Sequence, residues 1–261
     1  QFGVNMDNTA SSNNVRGNMI MSNGLYGVNL NGADVDANVI AANSIDGKGL
    51  QHTGVYIVDG DANVVMGNTV FGNTNVGISI AGSGASNLIS GNLVRSNRAG
   101  VESRGILISG VGADANRIVS NDVHGAGFQT YGILQAWGTG NTISNNRIRR
   151  QSFAGVGFFN GSGPNLAVGN SMYSNAGPGL YMYDGGGHRV VRNRIYANLS
   201  GLQFDSATNC AILNNVLYKN AVRGIRMNTA ARSNLVANNI LVSNGTLGLT
   251  NAATGTRWNY N

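Results

Sequence analysis

The sequence predicts an all-β chain wound as a right-handed parallel β-helix, a solenoid of about ten coils, and three observations carry that expectation. The first is an asparagine ladder: Asn18, Asn43, Asn68, Asn92, Asn121, Asn146, Asn170, Asn193, Asn215 and Asn239 recur at intervals of 22 to 29 residues, a solenoid period. The second is the frame around each rung, which in the third copy reads Asn63, Val65, Asn68, Val70, Asn73 and then Gly77-Ile78-Ser79-Ile80. Apolar residues at every second position, broken every few residues by Asn or Gly, describe very short strands joined by tight turns. The third is the presence of 39 Gly with no window of 3.6-residue apolar period, which argues against helices.

Taken in order, residues 1–12 read as part of an earlier coil with Phe2 and Val4 inward. Residues 13–251 read as regular coils and 252–261 as a C-terminal tail, all in one domain. In each coil one Asn opens a short strand, the ladder Asn turns the chain into a second strand, and a third strand starts at a Gly. Those glycines are Gly27, Gly54, Gly77, Gly105, Gly132, Gly155, Gly179, Gly201, Gly224 and Gly248. The ladder asparagines are expected in the left-handed backbone of a tight turn, with their amides hydrogen-bonded along the rod. At strand spacing, ten coils make a rod roughly 45–50 Å long.

The ladder turn hardly changes in length, whereas loops on both sides of the Gly-initiated strand vary and are longest before Gly54, Gly105 and Gly132. Variable loops flanking one sheet form the walls of a groove, and function concentrates in loops. Neither end shows a capping helix. Three readings stay open there: Trp258 and Tyr260 fold over the last coil, the chain is a piece of a longer one, or copies stack end to end or as a homo-oligomer. An apolar outward row of Val64, Leu88, Val168, Val191 and Leu213 is a candidate contact with another copy.

No apolar run has the length of a membrane span, so no membrane insertion is expected. The single Cys210 excludes an internal disulfide; it stands where other coils place the frame-opening Asn and is expected to be buried. No metal or cofactor is expected, since Asp59 and Asp61 alone make a poor calcium site. Charge is divided unevenly: residues 1–130 hold six Lys/Arg against nine Asp/Glu, and residues 131–261 hold eleven against two. That asymmetry points to an anionic partner on the second half. An acidic polysaccharide, nucleic acid or an anionic surface would each fit it; nucleic acid ranks third, since the groove's basic residues are few and no recognised module is present.

Over residues 13–251 this repeat resembles that of the pectate-lyase-like superfamily, which includes polysaccharide lyases, glycoside hydrolases, uronate epimerases, phage tailspikes and secreted adhesins. The resemblance implies a substrate lying along the Gly-initiated sheet and a secreted or cell-surface location. The Asp-Pro-His-Glu of alginate epimerases, the Asn-Thr-Asp and Arg-Ile-Lys of polygalacturonases and the calcium carboxylates of pectate lyases are all missing here.

Outward positions of the Gly-initiated strand form two columns. One runs through Asn29, Tyr56, Ser79, Leu107, Leu134, Gly157, Tyr181, Gln203, Arg226 and Thr250. The other runs through Asn31, Val58, Ala81, Ser109, Ala136, Phe159, Tyr183, Asp205 and Asn228. Coils seven to nine gather the chemistry. Asp184 and Asp205, the only acids of the second half, come from adjacent coils and are expected within roughly 5–8 Å, which suits a hydrolase pair. His188 would be an accessory base, although it also aligns with the frame-opening Asn. Arg226 would clamp a uronate carboxylate, as a lyase requires. Tyr181, Tyr183, Trp137, Tyr131 and Phe159 offer ring faces to sugars, and Gln203 and Asn228 offer amides.

A second candidate is the coil-five insertion with His124, Phe128, Gln129, Tyr131, Gln135 and Trp137. A further outward column, Arg95, His124, Arg149, Tyr173, Tyr196 and Tyr218, interleaves basic and aromatic groups, with Asp122 and Arg147 beside it as a surface ion-pair set. The function expected is a secreted carbohydrate-active protein that binds and cleaves an acidic polysaccharide by lysis or hydrolysis. The alternative is a structural or adhesive rod without catalysis.

Overall fold

The computed structural model describes residues 1–98, 103–161 and 163–259. The chain winds into three parallel sheets, two of eleven strands and one of ten, with no helix among the described residues. Sheet A collects the longer strands, Phe2–Asp7, Tyr26–Asn31 and onward to Leu247–Asn251. Sheets B and C collect three-residue strands such as Val64–Met66 and Thr69–Phe71. The helix therefore has about eleven turns rather than ten, because Phe2–Asp7 and Arg257–Asn259 pair fully with Tyr26–Asn31 and Leu235–Ala237.

The core follows from the alternation. Each sheet A strand sends two side chains inward, for instance Ile78 and Ile80, while the central residue of each B and C strand, such as Ile89 and Val94, is buried. Stacked coil on coil they make one continuous apolar cluster. Phe2, expected inward, faces out and stacks on Tyr26 (5.7 Å between centroids), whereas Val4 packs against the core. Trp258 lies in a sheet B strand beside Val236 and packs against the core; Tyr260 lies outside the described residues.

Amide ladders hold the corner between sheets B and C. The Asn121 backbone N–H and Nδ2 donate to Asn146 Oδ1 (2.8 and 3.0 Å), and Asn146 Nδ2 donates to Ile118 O (2.8 Å) and Asn170 Oδ1 (3.0 Å). The left-handed residue is not the ladder Asn but the one before it, as at Ala42, Ser120, Asn145 and Arg192 (φ 54 to 56°). The Asn that follows points its backbone N–H along the rod at the next amide. Parallel ladders run at the start of sheet B (Asn38 to Asn63 to Asn87) and after sheet C (Asn175 to Asn198 to Asn220).

The Gly that opens each sheet A strand answers a steric demand. A Cβ on Gly27 would lie 2.7 Å from Gly54 O, and one on Gly132 2.7 Å from Gly155 O, distances no side chain tolerates. The apolar row proposed for self-contact is not one row. Val64 and Leu88 align in one column of sheet B, and Val168, Val191 and Leu213 in another.

Candidate functional site

The outer face of sheet A carries three columns. The two expected ones are in register coil by coil, one leading through Leu107, Leu134 and Gly157 to Tyr181, Gln203 and Arg226, the other to Phe159, Tyr183 and Asp205. The third is the residue just before the Gly: Tyr26, Thr53, Val76, Arg104, Tyr131, and later Ser200 and Arg223. Sequence reasoning found Tyr131 but missed Arg104 and Arg223. The signal was available, since strand alternation is broken at the crowded Gly and the residue before it is turned outward.

Along this face the chemistry changes. Coils five to seven carry an aromatic wall: Tyr131 and Tyr181 both meet Phe153 and Phe159 edge to face at 5.4–5.6 Å, and Tyr183 leans on Phe159 at 5.6 Å. Gly157 lies beneath them, where a Cβ would come within 3.0 Å of the Phe159 ring. Next to the wall is a cavity of about 420 Å³ floored by Leu107, Leu134 and Ala136, with Arg104, Tyr131 and Phe159 around it. Tyr183 (48% exposed) keeps an open ring. Trp137 (46% exposed) does too, just past the strand Tyr131–Ala136 at φ 71°.

Coils seven to nine are polar. Asp205 ends the strand Ser200–Asp205, and its Oδ2 accepts the Tyr181 hydroxyl (2.8 Å) and Gln203 Nε2 (2.9 Å). Its Oδ1 is buried without a partner. Burial first, and then the bond to Asp205, push the Tyr181 hydroxyl well above the usual phenol range, so it stays protonated. Arg226 stands one coil beyond Gln203, and the Arg223 Nε is buried with no hydrogen-bond partner. One carboxylate with a buried, unpaired oxygen, one protonated phenol and two guanidinium groups thus belong to the same face.

Three expected members are placed differently. His188 is fully buried: its ring stacks on Phe158 (4.7 Å, 7°), and Nδ1 accepts the Asn165 backbone N–H (3.3 Å). It fills the position of a ladder Asn inside the rod and cannot serve as a base in the groove. Burial pulls it down to about 4. Asp184 lies beyond the strand Pro178–Tyr183 at φ 68°, where its carboxylate accepts Gly185 N–H (2.8 Å). It touches Asp205 through the backbone, donating its N–H to Asp205 O (3.0 Å). Asn228 closes its own turn, its Oδ1 accepting from Ser206, Ala230 and Ala231 (3.1–3.3 Å).

The coil-five insertion does not assemble as a unit. Gln129 and Gln135 are buried, the latter in the inner column between Ile108 and Phe158 and bonded to the Trp137 carbonyl. Phe128 lies exposed under the Arg98 guanidinium (4.3 Å), and His124 is on sheet C. A larger shallow depression, about 780 Å³, follows sheet C between Gly127, Arg150, Ser174 and Ala197 and holds no acid. No cluster of three His, Cys, Asp or Glu fit for a metal occurs among the described residues.

The sequence matches the model of the right handed beta helix region over residues 1–139 and 104–260. The chain belongs to this family. No curated protein sequence matches. Among solved structures this β-helix is similar to the periplasmic alginate epimerase AlgG (17% identity, TM-score 0.59, covering 91% of this chain and 61% of that one). It is also similar to the A-module of a mannuronan C-5 epimerase of Azotobacter vinelandii (15%, 0.64, covering 90% and 74%). A third is PfbA, a surface adhesin of Streptococcus pneumoniae (13%, 0.62, covering 87% and 69%). The β-helix spans about three fifths of the length of AlgG, and at these identities the likeness is one of fold.

Proposed function

We propose that this β-helix binds an acidic polysaccharide along the outer face of sheet A, outside the cytoplasm, and cleaves it by elimination at Asp205. The observation that carries the reading is the Asp205 carboxylate, held at one oxygen by Tyr181 and Gln203 and unpaired at the other, with Arg226 one coil away. A uronate placed there would have its carboxylate neutralised by Arg226, which acidifies the adjacent C–H. The Asp205 carboxylate takes that proton and a C=C bond forms as the C–O bond to the leaving sugar breaks. The Tyr181 hydroxyl protonates the departing oxygen and is reprotonated by Asp205 across their hydrogen bond, which returns both groups to their starting state. The open rings of Tyr183 and Trp137 and the apolar floor at Leu107 and Leu134 supply the flanking sugar contacts. Two solved relatives of the fold are named for uronate polymers, and the relatives include periplasmic and surface proteins.

The test is incubation with a panel of acidic and neutral polysaccharides, following unsaturated-uronate absorbance and new reducing ends together. Absorbance is expected, absent in Asp205→Asn and reduced on the order of 100-fold in Arg226→Gln. Reducing ends without unsaturation would overturn elimination and return Asp184 to the role of second carboxylate. A second reading, a non-catalytic adhesive rod, draws on the structural employment of His188 and Asn228. Binding without any cleavage would establish it.

A further inference from the structure

The outer face of sheet C differs from the groove in charge and in ring geometry. Tyr173, Tyr196 and Tyr218 stack along the rod, 4.8 and 4.7 Å apart with interplanar angles of 4° and 8°. Those distances equal the strand spacing, so each ring covers its neighbour's face and the stack presents hydroxyl edges. Arg147 Nε donates to Tyr173 Oη (2.5 Å) and Arg194 Nε to Tyr218 Oη (3.0 Å). Both guanidinium groups are thereby fixed against the phenols by one nitrogen while their terminal N–H groups remain exposed. Arg149, Arg150, Arg192 and Lys219 lie on the same strands or the turns beside them. The only acid on this face between residues 122 and 219 is Asp122, paired with Arg149. Burial first, and then Arg149 and Arg150, hold His124 on this face below its usual value.

We propose that this Arg/Tyr face is a second docking surface that holds a linear polyuronate parallel to the rod through its carboxylates. Charge selects the class, since Arg147 and Arg194, preorganised in one column two coils apart, and the basic groups beside them match repeated carboxylates. Ring geometry selects within it. Single-stranded nucleic acid binds by laying bases on open aromatic faces, and the faces within this stack are occupied by one another. The occupant rests on the acidic-polysaccharide reading; the surface is separate from Asp205 and the groove.

The experiment measures binding of labelled polygalacturonate oligosaccharides at low and moderate salt. Substitution of Arg147, Arg150 and Arg194 together by Gln is expected to weaken binding about tenfold and flatten its salt dependence. The same three as Lys should keep the salt dependence while losing part of the affinity. Arg226→Gln, in the groove, should leave the component lost in the triple variant in place, so failure of the groove reading and failure of this one give different results. Unchanged binding by the folded triple Gln variant overturns the proposal. So does tighter binding of a single-stranded oligonucleotide of equal charge. Were the Gln variant to unfold, the Lys variant decides: affinity and salt response both equal to the wild type would overturn the fixed-fork geometry.

Discussion

The corner between sheets B and C and the outer face of sheet A belong to the same coils, yet one repeats and the other changes along the rod. At the corner each coil offers an Asn to the next with the same bonds, from Asn18 to Asn239. On sheet A the matching positions pass from Leu107 and Leu134 through Gly157 to Tyr181, Gln203 and Arg226. The difference follows from what each position must satisfy. A buried amide has one low-energy arrangement and every coil must supply it, whereas an outward side chain is nearly free of the fold. Stability therefore resides in the corner, and chemistry is written on the face.

The strongest way to break this division is to exchange the effects. Asn146→Ala removes four side-chain hydrogen bonds, two received from Asn121 and two given to Ile118 and Asn170, all buried. It also strands the groups left behind. Denaturant unfolding should register a loss of about 3–5 kcal/mol, while Arg226→Gln should stay within ~0.5 kcal/mol. Comparable losses at the two sites would mean that the outer face also holds the rod together.

His188 sharpens the comparison because it is a titratable group placed in a ladder. Its folded pKa, about 4, lies below the usual 6.5 of an unfolded histidine. The unfolded chain therefore binds more protons between those values, so the stabilisation is complete above pH 6.5, is lost as pH falls to about 4 and changes no further below it. The depression corresponds to roughly 3 kcal/mol. Replacing His188 by Asn should restore the amide acceptor for Asn165 N–H and flatten stability across that window. A variant as acid-sensitive as the wild type would place the titration elsewhere.

The same contrast explains what could be read from the amino acids. The solenoid and its ladder were legible because an interior demand repeats in every coil, and repetition is visible in one sequence. The alignment of His188 with the ladder was legible for that reason; its exclusion from the groove required the Phe158 stack. The outward columns were legible through Asp205 because alternation holds along the strand. Alternation fails at the opening Gly, where the neighbouring carbonyl forbids a Cβ, so Phe2, Arg104 and Arg223 were misassigned or missed. Asp184 and Asp205 looked equivalent in spacing, but the register pairs Asp205 with Tyr183 and leaves Asp184 past the strand in a left-handed turn.

A smaller effect on stability than at the corner is expected within the sheet A face, at Tyr181. Tyr181 is rooted in the aromatic wall through Phe153 and Phe159, and its hydroxyl is the one groove donor to Asp205 that comes from another coil. Tyr181→Phe keeps the ring contacts and removes only that bond, so unfolding should change by about 1 kcal/mol. Activity should respond more, because Asp205 loses its proton partner and the leaving oxygen its acid. A drop on the order of 100-fold in kcat with KM little altered is expected. A rise in KM at constant kcat would instead make Tyr181 a sugar contact and leave Asp205 to act alone.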